Sequence, residues 1–208
     1  MSDRSPTYED YLWTEGGGTA GEFQAFCLAL VENADVEEVA TQLPVIEDLG
    51  VMGFPGELRF RSYDDWNEKR LLVGLFQMGS WTAMFEVNGF AGMTAELMIP
   101  LSKGRRIVSH HYSDGNGSGS FRLYEDGRLT ANFNPTRGIY DLQARDRETL
   151  TSLMQASGFD QAPVDHPLEG RQHNRAATLA LMERLTGVRL EPRTIADARF
   201  AVVRVALS

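Results

Sequence analysis

The sequence predicts an α+β fold: a mostly antiparallel sheet of five to six strands, with N- and C-terminal helices packed on one face. Two observations carry this reading. From Trp81 to Pro135 the chain alternates apolar and polar residues through tight turns, as consecutive antiparallel strands do. Toward the ends, apolar residues recur at helical spacing instead. Phe23, Phe26, Cys27, Leu30 and Val31 form one such stripe, and Ala177, Ala180, Leu181, Leu185 and Val188 form another.

The elements follow in order. After the aromatic opening Tyr8, Tyr11, Trp13, the run E-G-G-G-T-A-G breaks regular structure and leads into the first predicted helix, over Phe23 to Val31. Asp35 and Glu38 stand at capping-box spacing, and Val36, Val39, Ala40 and Leu43 carry a second short helix that stops at Pro44. Residues 44–70 are rich in proline, glycine and charge. They read as an irregular, inserted connection holding at most one short edge strand.

Leu71 to Met78 is apolar on both faces and suits a central strand, which Gly79-Ser80 turns into Trp81 to Val87. Asn88-Gly89 signals a turn, Met93 to Leu101 a short helix despite Pro100, and Arg105 to Tyr112 the next strand. D-G-N-G-S-G-S then leads to Phe121 to Glu125, and Asp126-Gly127 turns into Arg128 to Phe133. Phe121, Leu123, Leu129, Ala131 and Phe133 are expected on the core face, and Arg122, Tyr124, Arg128, Thr130 and Asn132 on an open polar face. Asp146 caps a helix ending at Gly158, A-P-V-D-H-P is a loop, and the longer helix ends at Gly187. One helical turn over Thr194 to Ala198 precedes a last strand in F-A-V-V-R-V-A-L.

The 208 residues fit one domain spanning 1–208, with 42% apolar and 24% charged residues to build a single core. A formal charge of -9 and a pI near 4.9 exclude a broad nucleic-acid footprint or docking on anionic membranes, both of which need a dense cationic face. Cys27 is the single cysteine, and the N-terminus lacks a signal-like apolar core. The expectation is a cytoplasmic protein without a cofactor.

No complete catalytic signature stands in the chain. Asp114, Asn116, Ser118, Gly119 and Glu125 match the spacing of a calcium loop, in which alternate oxygens converge around a glycine turn. The flanking segments read as strands rather than the helices such a loop requires, so a glycine-rich hairpin tip is the preferred reading and no metal is expected. His110 and His111 are adjacent in a strand and point to opposite faces, which denies them a shared metal; His166 and His173 are distant in sequence. Cys27 lies on an apolar stripe and reads as packed core. Ser80 and Ser118 lack a nucleophile elbow, and G-G-G-T-A-G-E lacks the lysine of a phosphate loop.

Tyr112, Arg122, Tyr124 and Arg128 remain as candidate binding residues, because protein-binding surfaces favour rigid aromatic area and forked guanidinium donors.

The Tyr11-Leu12-Trp13 opening with F-Q-A-F-C-L-A-L-V, G-S-W-T-A-M-F-E-V-N-G-F, L-S-K-G-R-R-I-V-S-H, F-R-L-Y-E-D-G-R-L, F-N-P and A-L-M-E-R-L-T-G-V-R-L together resemble a family of actinobacterial proteins, domain of unknown function 6461. The resemblance covers most of the chain. It implies that W-T-A-M-F-E-V-N-G-F and E-R-L-T-G-V-R-L are framework, and it brings no catalytic residues with it. Residues 44–70 and D-G-N-G-S-G-S depart from the family pattern.

The leading functional expectation is a non-enzymatic protein-binding module of the immunity or conflict-system accessory sort, with a protein partner carrying a basic patch. One alternative is a small-molecule-binding domain or hydrolase-like enzyme with a polar site near His110, Asp114 and Glu86. The other is a subunit of a larger assembly, which would expose apolar area around Phe54, Trp66 and Phe90.

Overall fold

The computed structural model describes residues 5–15, 23–53, 56–64, 66–67, 69–159 and 173–207. After a 3-10 turn at Tyr8–Thr14 come β1 (Ala25–Glu32), α1 (Val36–Gln42), β2 (Val45–Gly53), α2 (Gly56–Asp64), β3 (Arg70–Met78), β4 (Trp81–Val87) and α3 (Ala95–Leu101). There follow β5 (Arg106–Ser113), β6 (Ser118–Glu125), β7 (Arg128–Phe133), β8 (Gln143–Ala144), α4 (Arg147–Ser157), α5 (Asn174–Thr186), α6 (Pro192–Ala196) and β9 (Arg199–Ala206).

The α+β class is as expected, but the sheet is larger than five to six strands. Among the described residues nine strands run in the order β2-β9-β3-β4-β1-β5-β6-β7-β8, antiparallel throughout. The extra strands come from two segments read differently in sequence and from the two-residue β8. The predicted first helix is β1, a central strand paired with β4 on one side and β5 on the other. A continuous apolar run such as F-C-L-A-L-V satisfies a helical stripe and a strand buried on both faces equally well, so periodicity could not separate them. The connection over 44–70 contains a nine-residue edge strand, β2, and a helix, α2.

The expectation that helices cover one face also fails. On the first face, Phe26, Leu28, Phe85, Val108, Phe121, Phe133 and Phe200 pack beneath α4, α5, the Tyr8–Thr14 turn and Leu58 of α2. On the second, Ala29, Val31, Val73, Leu75, Met84, Ile107 and Tyr124 pack beneath α1 and α3 through Val39, Leu97, Met98 and Leu101. β1, β3 and β4 are therefore buried on both sides, which is why their sequences are apolar at odd and even positions alike.

Local chemistry fixes the ends of the elements much as the sequence implies. Asp35 Oδ1 accepts from the Glu38 amide at 2.8 Å to cap α1, and Asp146 Oδ1 accepts from the Thr149 amide at 3.1 Å to cap α4. Gly158 at φ 111° and Gly187 at φ 72° end α4 and α5 in left-handed conformations.

Candidate interaction surface

The four residues predicted to bind do not share one surface. The strand register puts Tyr112 on the first face, opposite Gly119 and beside Phe26, whereas Arg122 pairs with Ser109 and Tyr124 with Ile107 on the second. Tyr124 is fully buried rather than exposed, because α3 and its lead-in cover that face. Arg122 is half-buried. Its guanidinium donates to the Met93 carbonyl and, at 3.2 Å, to the Tyr124 hydroxyl, so it clamps the lead-in to α3 onto the sheet. Tyr112 lies under the Arg175 guanidinium, 4.8 Å from its ring centroid. Arg128 alone of the four is exposed.

A register shift between Leu123 and Tyr124 explains one further difference. Leu123 pairs with Ala131, but Tyr124 pairs with Leu129, so the extra residue Thr130 turns Leu129 out of the core and leaves it 40% exposed.

His110, Asp114 and Glu86 do not converge. Glu86 pairs with Cys27 on the second face, while His110 pairs with Leu28 on the first. Glu86 sits beneath the turn N-G-F-A-G. Its Oε2 accepts from the Ala91 amide at 2.7 Å and its Oε1 has no partner among the described residues. Burial pushes its pKa up to about 8 against the opposing pull of the Ala91 and Gly92 amides. The fit is tight: a Cβ on Gly92 would stand 2.4 Å from Ser109 Oγ and 2.9 Å from Cys27 Sγ, and one on Gly89 2.3 Å from Glu86 Oε1. Cys27 is packed core, as predicted, although on a strand; burial raises its thiol pKa and so disfavours the thiolate.

On the first face, burial pushes His110 down to about 3. Its Nδ1 faces the Ser120 carbonyl at 3.4 Å, which leaves Nε2 without a partner among the described residues. Asp114 lies 3.5 Å from Arg175, whose Nη1 donates to the Phe23 carbonyl at 2.7 Å. Sequence reasoning did not single out Arg175; a lone charged residue ahead of the apolar run Ala176 to Met182 was the available signal.

The calcium spacing does not close into a site. Ser113 pairs with Ser118 at one end of the β5–β6 hairpin and Arg106 with Glu125 at the other, so Asp114 and Glu125 stand at opposite ends of β6. Among the described residues no three His, Cys, Asp or Glu side chains group to hold a metal ion. His110 and His111 do face opposite sides, and His173 pairs with Glu15 at 2.5 Å. Phe54, His166 and the segment G-G-G-T-A-G-E lie outside the described residues.

The molecule's exposed apolar residues concentrate instead at the β2 edge. α2 turns Leu58 and Ser62 inward and Phe60 and Tyr63 outward. Leu58 is held by an absence: Gly74 of β3 has no side chain, and a Cβ there would stand 2.8 Å from Phe200 Cδ1 and 3.1 Å from Leu58 Cδ2. Phe60 is 71% exposed, Val51 66%, and Ile46 and Trp66 53% each. Arg59 and Arg61 flank Phe60 in the chain. Apart from Met52, all of β2 is at least partly solvent-facing. Its ladder to β9 is broken by two register shifts and by Gly50 at φ 74°, whose amide donates to Asp48 Oδ1 at 2.8 Å.

The model of DUF6461, a family of unknown function, matches residues 4–208. The chain belongs to this family. No curated protein and no solved structure matches it. The match runs from before β1 to the end of β9. No helix among the described residues is long and apolar enough to cross a membrane.

Proposed function

We infer that this DUF6461 chain is a non-enzymatic protein-binding module that meets its partner at the α2–β2 edge. The observation that carries the reading is the exposed pair Phe60 and Tyr63 on α2, with Trp66 just beyond the helix and Ile46 exposed on β2; Val51, opposite Ala201, faces the other side of the sheet. Large apolar residues gathered at one edge of a soluble domain mark an interaction site, and the mixture of aromatic residues with Arg59 and Arg61 is the composition that binding surfaces favour.

The bulged ladder of β2 argues for contact through side chains rather than strand addition, since bulges interrupt the regular row of backbone donors and acceptors. Arg59 and Arg61 stand among the exposed Glu47, Asp48, Glu57 and Asp64, so a partner with the basic patch that the net charge of -9 implies, meeting the aromatic residues with an apolar one, still fits this edge.

A role as an immunity or conflict-system accessory in an actinobacterial cytoplasm is consistent with this reading, as is a place in a larger assembly. The enzyme alternative draws no support from the geometry, because Glu86 lies across the sheet from His110 and Asp114. The test is affinity capture with the full chain and with a Phe60→Asp/Trp66→Asp variant. A single stoichiometric protein captured by the former and lost by the latter supports the reading. Equal capture by both overturns it.

A further inference from the structure

The opposite edge of the sheet carries a second, chemically different surface. β8 pairs only with Ala131 and Asn132, and one further bond runs from the Arg145 amide to the Thr130 carbonyl at 2.9 Å. Arg128 and Leu129, at the start of β7, therefore lack a ladder partner on that side among the described residues. Beside this free margin lies a shallow groove of about 350 Å³ lined by Arg128, Leu129, Thr130, Asn132, Gln143 and Arg145, with Ala144 between the last two. The lining includes no carboxylate in a chain whose net charge is -9. Neither guanidinium makes a hydrogen bond or ion pair with another described residue.

We propose that this groove holds an extended acidic peptide segment laid along the free margin of β7. Each feature answers one need of such a ligand. Backbone groups of successive strand residues turn to opposite sides, so one residue of the Arg128-Leu129 pair offers strand-type hydrogen bonds to this margin. The side-chain amides of Asn132 and Gln143 supply donors and acceptors for peptide groups beyond β8. Arg128 and Arg145 offer forked donors to carboxylates, and Leu129 offers an apolar contact. An open, shallow shape suits a chain passing through rather than an enclosed small molecule. A nucleic acid fits less well, since two cations on an acidic protein neutralise little of a phosphate backbone.

The arginines could act simply as guards against edge-to-edge pairing, and the experiment separates that role. A fluorescein-labelled peptide of about ten residues alternating Glu and Thr is titrated against the full chain by fluorescence polarisation, beside its Gln and Thr counterpart. The Glu peptide is expected to bind about tenfold or more tightly than the Gln peptide. That advantage should shrink as salt is raised and be lost in Arg128→Glu/Arg145→Glu, whose melting temperature stays at that of the parent chain. Phe60→Asp/Trp66→Asp should leave peptide binding unchanged, so this proposal can fail while the α2–β2 reading stands, or the reverse. Three results overturn it: no difference between the peptides; an Arg128→Ser/Arg145→Ser variant that self-associates but binds the peptide as before; or a single-stranded oligonucleotide that binds more tightly than the peptide through the same arginines.

Discussion

The two edges of the sheet meet solvent by opposite means. At one edge β2 is long, bulged and apolar, and it leans on a short helix whose aromatic residues point outward. At the other β8 is two residues long, and the margin it leaves is lined by arginines and amides. An edge strand is a hazard because its free backbone invites pairing, and shortness, bulges and charge are the usual remedies. The β2 edge uses bulges and keeps its apolar side chains exposed, whereas the β8 edge uses shortness and charge. The lesson is that backbone protection and side-chain recognition are separable: a strand that resists pairing can still present a sticky surface.

The comparison can be broken most strongly at its buried anchor. Leu58→Ala removes the fully buried side chain that seats α2, and should cost about 2–5 kcal/mol in urea denaturation while also dispersing the aromatic surface. An effect below about 1 kcal/mol would mean that α2 is held by something else. Gly74→Ala attacks the same seat from the sheet side. A Cβ clashing with Phe200 and Leu58 should cost about 1–3 kcal/mol and increase hydrogen exchange in α2 more than in α3, which packs on the other face.

Between the edges Glu86 and His110 are buried on opposite faces, and burial shifts them in opposite directions. Glu86 binds its proton more tightly in the folded chain, with a pKa of about 8 against an ordinary 4.5, so its penalty appears as pH rises above about 4.5 and levels off past about 8. The stability of Glu86→Gln relative to the parent should therefore rise progressively with pH within that window and stay level below it. A difference independent of pH would show that the carboxyl does not titrate in the fold. His110 is held neutral down to about 3, so its contribution is lost as pH falls from 6.5 toward 3. These two contributions oppose each other between 4.5 and 6.5. The smallest effects belong to the surfaces themselves: Phe60→Asp and Arg128→Glu should each change stability by less than about 0.5 kcal/mol, measurable as overlapping denaturation curves.

Much of the sheet was legible, because a strand with one wet face writes its alternation into the sequence and Asp126-Gly127 marks its turn. β5, β6, β7 and β9 were read from such signals, as were the caps at Asp35, Asp146, Gly158 and Gly187. β1 was not, since F-C-L-A-L-V is buried on both faces and carries no phase. The apolar character of Leu71 to Met78 on both faces was visible and already implied covering layers on both sides, a consequence the one-face arrangement omitted. The predicted open face was harder, because the exposure of Leu129 hangs on the single extra residue at Thr130 and the burial of Arg122 and Tyr124 on where α3 lies. Neither can be counted from spacing. Phe60 and Trp66 stood in plain view within a charged stretch; only the burial of Leu58 beneath them reveals that a helix presents Phe60 outward.

The most direct test of the account is affinity capture run side by side with three proteins: the parent chain, Phe60→Asp/Trp66→Asp and Arg128→Glu/Arg145→Glu, each confirmed folded by its melting curve. The account predicts one stoichiometric partner on the parent and on the arginine variant, and none on the aromatic variant. Retention of that partner by the aromatic variant, or its loss only from the arginine variant, would contradict the assignment of the α2–β2 edge.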